Sequence, residues 1–213
     1  MIKKYSVLIG VIIFLVFLTI AISIYPGGTY QDKSSIGFDW SKNYFSNLFE
    51  TKALNGSPNP SMIWAYIGVF VYSMSCTIFF VNMSKKIPDK NAENIIKYAG
   101  ILTMPFTFLI VTALHDLMLT ISSFLFWTCM VVTTVFVLRT RLYFFKFYCI
   151  ICLSIFYYAV YIHASGNWDL LPIVQKVNTV SSILLILGLE YFTKKDDFAH
   201  IKTKKQRLQA TDR

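Results

Sequence analysis

Six long apolar blocks, nearly free of Asp, Glu, Lys and Arg, divide this 213-residue chain at 5–25, 63–81, 98–114, 119–138, 143–162 and 173–192. In a helix rising about 1.5 Å per residue, roughly 20 apolar residues match a hydrocarbon layer about 30 Å thick. Within lipid a free backbone N–H or C=O finds no water, so each block must be helical. The expectation is an all-α, polytopic membrane protein: a six-transmembrane-helix bundle over residues 1–193, then a basic tail at 194–213. Charged residues form only 15% of the chain, against about 25% in a soluble domain, and no separate soluble domain fits between the blocks.

The direction of threading follows from Lys and Arg. Segments before the first block, between the second and third, between the fourth and fifth, and after the sixth hold 16 of the 20 basic residues; the alternate segments hold Lys33, Lys42, Lys52 and Lys176. Basic residues accumulate on the cytoplasmic side, which predicts both termini inside and an outer loop at 26–60. A short-looped, multi-pass chain of this kind points to a bacterial plasma (inner) membrane. The same rule explains the net charge of +9 without a nucleic-acid partner; membrane lipids are the expected partners, and the tail is expected to lie near anionic headgroups. Lys3, Lys4 and the apolar run ending at Ala21-Ile22-Ser23 also read as a signal peptide, but the run exceeds the usual apolar region of such peptides. Cys76, Cys129, Cys149 and Cys152 all fall inside apolar blocks, so buried thiols are expected rather than disulfides.

Little charge enters the blocks. Glu190 sits one turn from the end of the sixth, near Lys194, and no Asp, Glu, Lys or Arg occupies the middle of any block. That argues against a proton pump or an ion-coupled transporter, which need charge at mid-depth.

Polar chemistry gathers instead on the outer side. Pro26-Gly27-Gly28 breaks the first block and turns the chain. Trp40, Tyr44 and Leu48 recur at helical spacing beside Phe45 and Phe49, which predicts a short interfacial helix over 40–49, with Asp39 or Ser41 as its cap. His115 and Asp116 mark one outer turn; His163, Ser165, Asn167, Trp168 and Asp169 mark another. The candidate binding residues are Asp39, Asn43, Ser46, His115, Asp116, His163 and Asp169.

Three kinds of chemistry suit such a set. His115, His163 and a carboxylate such as Asp116 make a metal site of two histidines and one carboxylate. Ser46 with His115 or His163 as base makes a nucleophile pair. An aromatic helix over an apolar bundle, with Pro105 kinking the third span, suits binding of a lipid or other amphiphile without chemistry. A protein partner docking on the outer aromatic segment is a further reading. The residues name no cofactor.

The order of features, with Asn43-Tyr44-Phe45-Ser46-Asn47-Leu48 in the first outer loop and His115-Asp116-Leu117 opening a later span, resembles the six-span DRAM/Sfk-like membrane proteins and a related bacterial membrane family of unassigned activity. Those families carry a Ser-acid pair in the loop and a His at the outer start of the fourth span. Ser46 and His115 match; Asn47 stands in place of the acid. The resemblance implies a six-helix membrane protein tied to lipid handling.

Overall fold

The computed structural model describes residues 4–201 except 111, 113 and 167; Asn167 and most of the basic tail thus lie outside the described residues. Seven α-helices follow one another: α1 (Ser6–Ser23), α2 (Ser61–Ser84), α3 (Lys90–Leu109), α4 (His115–Val137), α5 (Tyr143–Ala164), α6 (Leu171–Phe192) and the single-turn α7 (Asp196–Ala199). A 3-10 helix, η1 (Phe45–Phe49), lies between α1 and α2. No strand occurs among the described residues, only two isolated bridges, Gly27 with Ile36 and Lys52 with Pro58. The architecture is all-helical.

Among the described residues five helices, α1, α2, α4, α5 and α6, are long and apolar enough to cross a membrane, which fits a multi-pass membrane protein. The third departs from expectation. It begins at Lys90, two turns before the apolar block, and stops at Leu109. The Asp89 side chain accepts from the N–H groups of Asn91 and Ala92, each at 3.1 Å, so a cap starts the helix early and places Lys90, Glu93 and Lys97 on it. Pro105 lies inside α3.

α1, α2, α3 and α4 pack in chain order, α5 packs on α6, and α6 closes the bundle against α1 and α2. Close approach depends on small residues, as lipid supplies no solvent-driven force between helices. A Cβ on Gly100 of α3 would collide with the Phe80 side chain of α2, and one on Gly10 of α1 would collide with Ser75. Phe79, Phe80, Met83, Ile96, Cys129 and Leu189 are buried in one core cluster. The Trp127 and Phe156 rings stack across α4 and α5 at 4.0 Å. All four cysteines are free and buried.

The two ends of the bundle differ. At the basic end the α1 start meets the α6 end, with Leu8 N–H donating to the Tyr191 hydroxyl at 3.0 Å. Lys86, after α2, donates to the Leu189 and Glu190 carbonyls at 2.9 and 3.0 Å and to Thr193 Oγ1 at 3.2 Å. It thereby satisfies carbonyls that the last turn of α6 leaves open. Burial pushes the Lys86 ammonium below its ordinary 10.5, against the opposing pull of Glu190 and Asp197. Glu190 turns inward rather than toward Lys194: Asn82 donates to one of its oxygens at 2.7 Å. The chain then folds back through α7, whose Phe198 is fully buried in the main core.

The opposite end is covered by residues 26–60, a folded cap. Gly27 and Gly28 have φ of +130° and +87°, the left-handed region that favours glycine. A Cβ on Gly28 would lie 2.5 Å from Leu54 C and closer still to Asn55 N. The expected helix over 40–49 is absent except for η1. Asp39 Oδ1 instead accepts from Ser41 N–H at 2.8 Å, Ser41 Oγ at 2.7 Å and Lys42 N–H at 3.2 Å. Asn43 Oδ1 accepts from Asp39 N–H, and Asn47 Oδ1 from Tyr44 N–H. These short side chains offer the backbone turns in place of helical bonds. Trp40 is consequently 58% exposed while Leu48 is fully buried, so they share no face.

Candidate functional site at the capped end

The cap is seated on α6. Phe45 N–H donates to Gln175 Oε1 at 3.1 Å. Lys176 donates to the Asn43 carbonyl at 2.6 Å and to the Pro172 carbonyl at 3.0 Å. Its ammonium lies 5.5 and 5.4 Å from the Phe38 and Phe45 ring centres, within the range of cation–π attraction. Two further contacts run to the α5–α6 turn: Tyr44 hydroxyl to the Trp168 carbonyl at 3.3 Å, and Gln31 Nε2 to Asp169 Oδ1 at 3.4 Å. Burial pushes the Tyr44 hydroxyl above its ordinary 10.0, with Tyr30 and Asp169 adding to the shift.

Inside the cap, asparagines tie loop to loop. Asn43 is buried, and its Nδ2 donates to the Gly28 carbonyl at 2.8 Å. Asn59 Nδ2 reaches the Asn47, Leu48 and Glu50 carbonyls at 3.3, 3.3 and 2.8 Å, while its Oδ1 accepts from Ser61 N–H and Ser61 Oγ. Of the expected site residues, Asn43 and Asp39 are therefore bound up in holding the cap. Ser46 is partly buried on η1, and no hydrogen bond joins it to His115 or His163 among the described residues.

His115 is arranged differently. It is the first residue of α4, and its Nδ1 lies 3.0 Å from Asp116 Oδ1. The Asp116 side chain is fully exposed, whereas that of His115 is 27% exposed. Nε2 is buried and has no hydrogen-bond partner among the described residues. With Nδ1–H donating to Asp116, Nε2 carries the lone pair of the neutral ring. His163, at the end of α5, is exposed and packs edge-on against Trp168 at 4.9 Å.

The seven expected residues thus divide into groups. Asp39, Asn43 and Ser46 lie in the cap, Asp169 lies in the α5–α6 turn where Gln31 of the cap meets it, His115 pairs with Asp116, and His163 packs on Trp168. Among the described residues, no group of three His, Cys, Asp or Glu is placed to hold a metal ion. Gln175 and Lys176 were not among the expected site residues. Their signal was a cation in the second turn of an apolar block, on the side of the chain that is otherwise poor in cations.

Compared with known proteins, the chain matches no family model, no curated protein and no solved structure.

Proposed function

We propose that this chain crosses the plasma membrane six times with both termini in the cytoplasm, and that its capped, outward end binds a lipid or other amphiphile through His115. The observation that carries the reading is that His115 Nε2 is buried without a hydrogen-bond partner among the described residues. A buried polar atom without a partner costs about 1–3 kcal/mol, and such atoms call for an explanation in a folded protein. A hydroxyl or phosphate oxygen of a headgroup would supply the missing partner, as donor to the neutral ring or acceptor from the protonated one. The apolar surface of the bundle beside it, including exposed Leu114 and Leu117, offers a surface for the hydrocarbon part. Charge distribution supports the orientation, and the length and apolarity of five helices support the crossing; α3 crosses as the sixth, with its charged first turns at the cytoplasmic interface.

A second reading has its own support. A histidine held at Nδ1 by a carboxylate and open at Nε2 is the arrangement of a general base, which favours a lipid-headgroup hydrolase or transferase using water or a substrate hydroxyl.

The test is a photoactivatable phospholipid analogue in reconstituted vesicles, with crosslinked peptides mapped. Wild type should label beside α4, and His115→Ala should lose that label while His163→Ala keeps it. Equal labelling of wild type and His115→Ala would sink the binding reading. Headgroup release by wild type and not by His115→Ala would select the second. A reporter fused after Arg213 should be cytoplasmic.

A further inference from the structure

The acids of the basic end are mostly engaged within the protein. Asp89 caps α3, Glu93 pairs with Lys90 at 3.1 Å, Glu190 accepts from Asn82, and Asp197 Oδ2 accepts from Lys194 N–H at 2.6 Å. The cations of this end differ in how far they are engaged. In the α2–α3 turn, Lys86 is bound to the end of α6 and Lys90 to Glu93, while Lys85 and Lys97 form no ion pair among the described residues. In the α4–α5 turn, Arg139, Arg141 and Lys146 form no ion pair among the described residues.

Two of those three cations lie beside aromatic rings. The Arg139 guanidinium is 5.6 Å from the Phe136 ring centre, and Lys146 Nζ is 5.1 Å from that of Tyr143. Tyr143, Phe144 and Phe147 are 76, 70 and 67% exposed. The C-terminal segment returns to the same place, with His200 Nε2 3.0 Å from the Arg139 carbonyl oxygen. Lys202, Lys204, Lys205 and Arg207 follow in sequence.

We propose that the α4–α5 turn binds the phosphodiester headgroup of an anionic phospholipid of the inner leaflet, with Arg139, Arg141 and Lys146 around the phosphate and the acyl chains along Tyr143, Phe144 and Phe147. Unpaired cations at a helix end that also exposes Tyr143, Phe144 and Phe147 ask for a ligand that is anionic and hydrocarbon at once. A nucleic acid would answer the charge and leave the phenylalanines bare; a zwitterionic lipid would cover the rings and leave the net charge unanswered. The site rests on the orientation proposed above but not on His115, which is at the other end of the bundle.

The experiment is competition for a fluorescent phosphatidylglycerol by the full-length protein in neutral detergent. Phosphatidylglycerol and phosphatidylcholine with identical chains serve as competitors, alongside inorganic phosphate and a single-stranded oligonucleotide. Phosphatidylglycerol should displace the probe, with an affinity that falls as salt rises, while the other three should not. Each basic side chain near an anionic surface is worth roughly fivefold in affinity, so Arg139→Gln/Arg141→Gln/Lys146→Gln should weaken binding on the order of a hundredfold. Lys85→Gln/Lys97→Gln/Lys195→Gln, of equal charge change, should weaken it far less. The single variant Arg141→Gln, at an exposed side chain, should lose about fivefold and guards against misfolding of the triple variant. Equal displacement by phosphatidylcholine, displacement by the oligonucleotide, or equal losses in the two triple variants would each overturn the proposal.

Discussion

Replacing Gly28 by alanine should unseat the cap, and Gly56 provides its internal control. Both glycines have φ of +87°, so both alanines meet the same backbone strain, about 1–3 kcal/mol for a residue with a side chain. A Cβ on Gly56 meets nothing within 4 Å, whereas one on Gly28 runs into the backbone of Leu54 and Asn55. Backbone cannot rotate out of the way as a side chain can, so the loop carrying Asn55 must move. As Gly28 and that loop are pushed apart two hydrogen bonds are lost: Asn55 N–H to the Gly27 carbonyl at 3.2 Å, and Asn43 Nδ2 to the displaced Gly28 carbonyl at 2.8 Å. At about 1 kcal/mol net apiece, Gly28→Ala should cost roughly 2 kcal/mol more than Gly56→Ala, about a thirtyfold difference in local opening. Hydrogen exchange at the Ala53 and Asn55 amides, followed by mass spectrometry in detergent, reads that ratio directly. Equal exchange in the two variants would refute the claim that backbone crowding at Gly28 organises the cap.

Three further outcomes are expected. Asn59→Ala strands buried carbonyls of η1 and should destabilise the cap by roughly 3 kcal/mol, seen as faster exchange at Leu48 with little change in α4. Lys176→Met keeps the apolar stem but removes both carbonyl contacts, and should raise the reactivity of a cysteine placed at buried Ala53 while leaving helicity by circular dichroism unchanged. The cap should also loosen in acid. The Asp39 carboxyl is held below its ordinary 3.8 by the Ser41 hydroxyl and N–H, so its contribution is whole above that value and is lost as pH falls through the depressed one; Asp39→Asn should flatten this part of the pH dependence of cap exchange.

The apolar blocks were legible because a hydrocarbon environment leaves the backbone one choice, and the structure returns five of them as helices of membrane length. The early start of α3 was hidden by its own charges. Lys90, Glu93 and Lys97 read as loop residues, and only the Asp89 cap two residues before Asn91 signals otherwise. The cap was misread for a different reason. Periodicity in Trp40, Tyr44 and Leu48 is a statement about side chains, whereas Asp39, Asn43 and Asn47 decide the matter by competing for backbone N–H groups. Pro26-Gly27-Gly28 as a chain reversal was readable, since few other residues tolerate that backbone. His115 was visible as a polar residue at a helix start, but nothing in the order of residues says that Nε2 turns inward while His163 stays outside.

The burial of Phe198 has a consequence for how the chain is made. Its ring completes a core formed by helices that precede it in the chain, so that core stays unfinished until all six long helices and the turn after them have left the ribosome. A chain cut short after α6 would possess every long helix and still carry a hole at its basic end, leaving a defect that quality-control proteases can recognise.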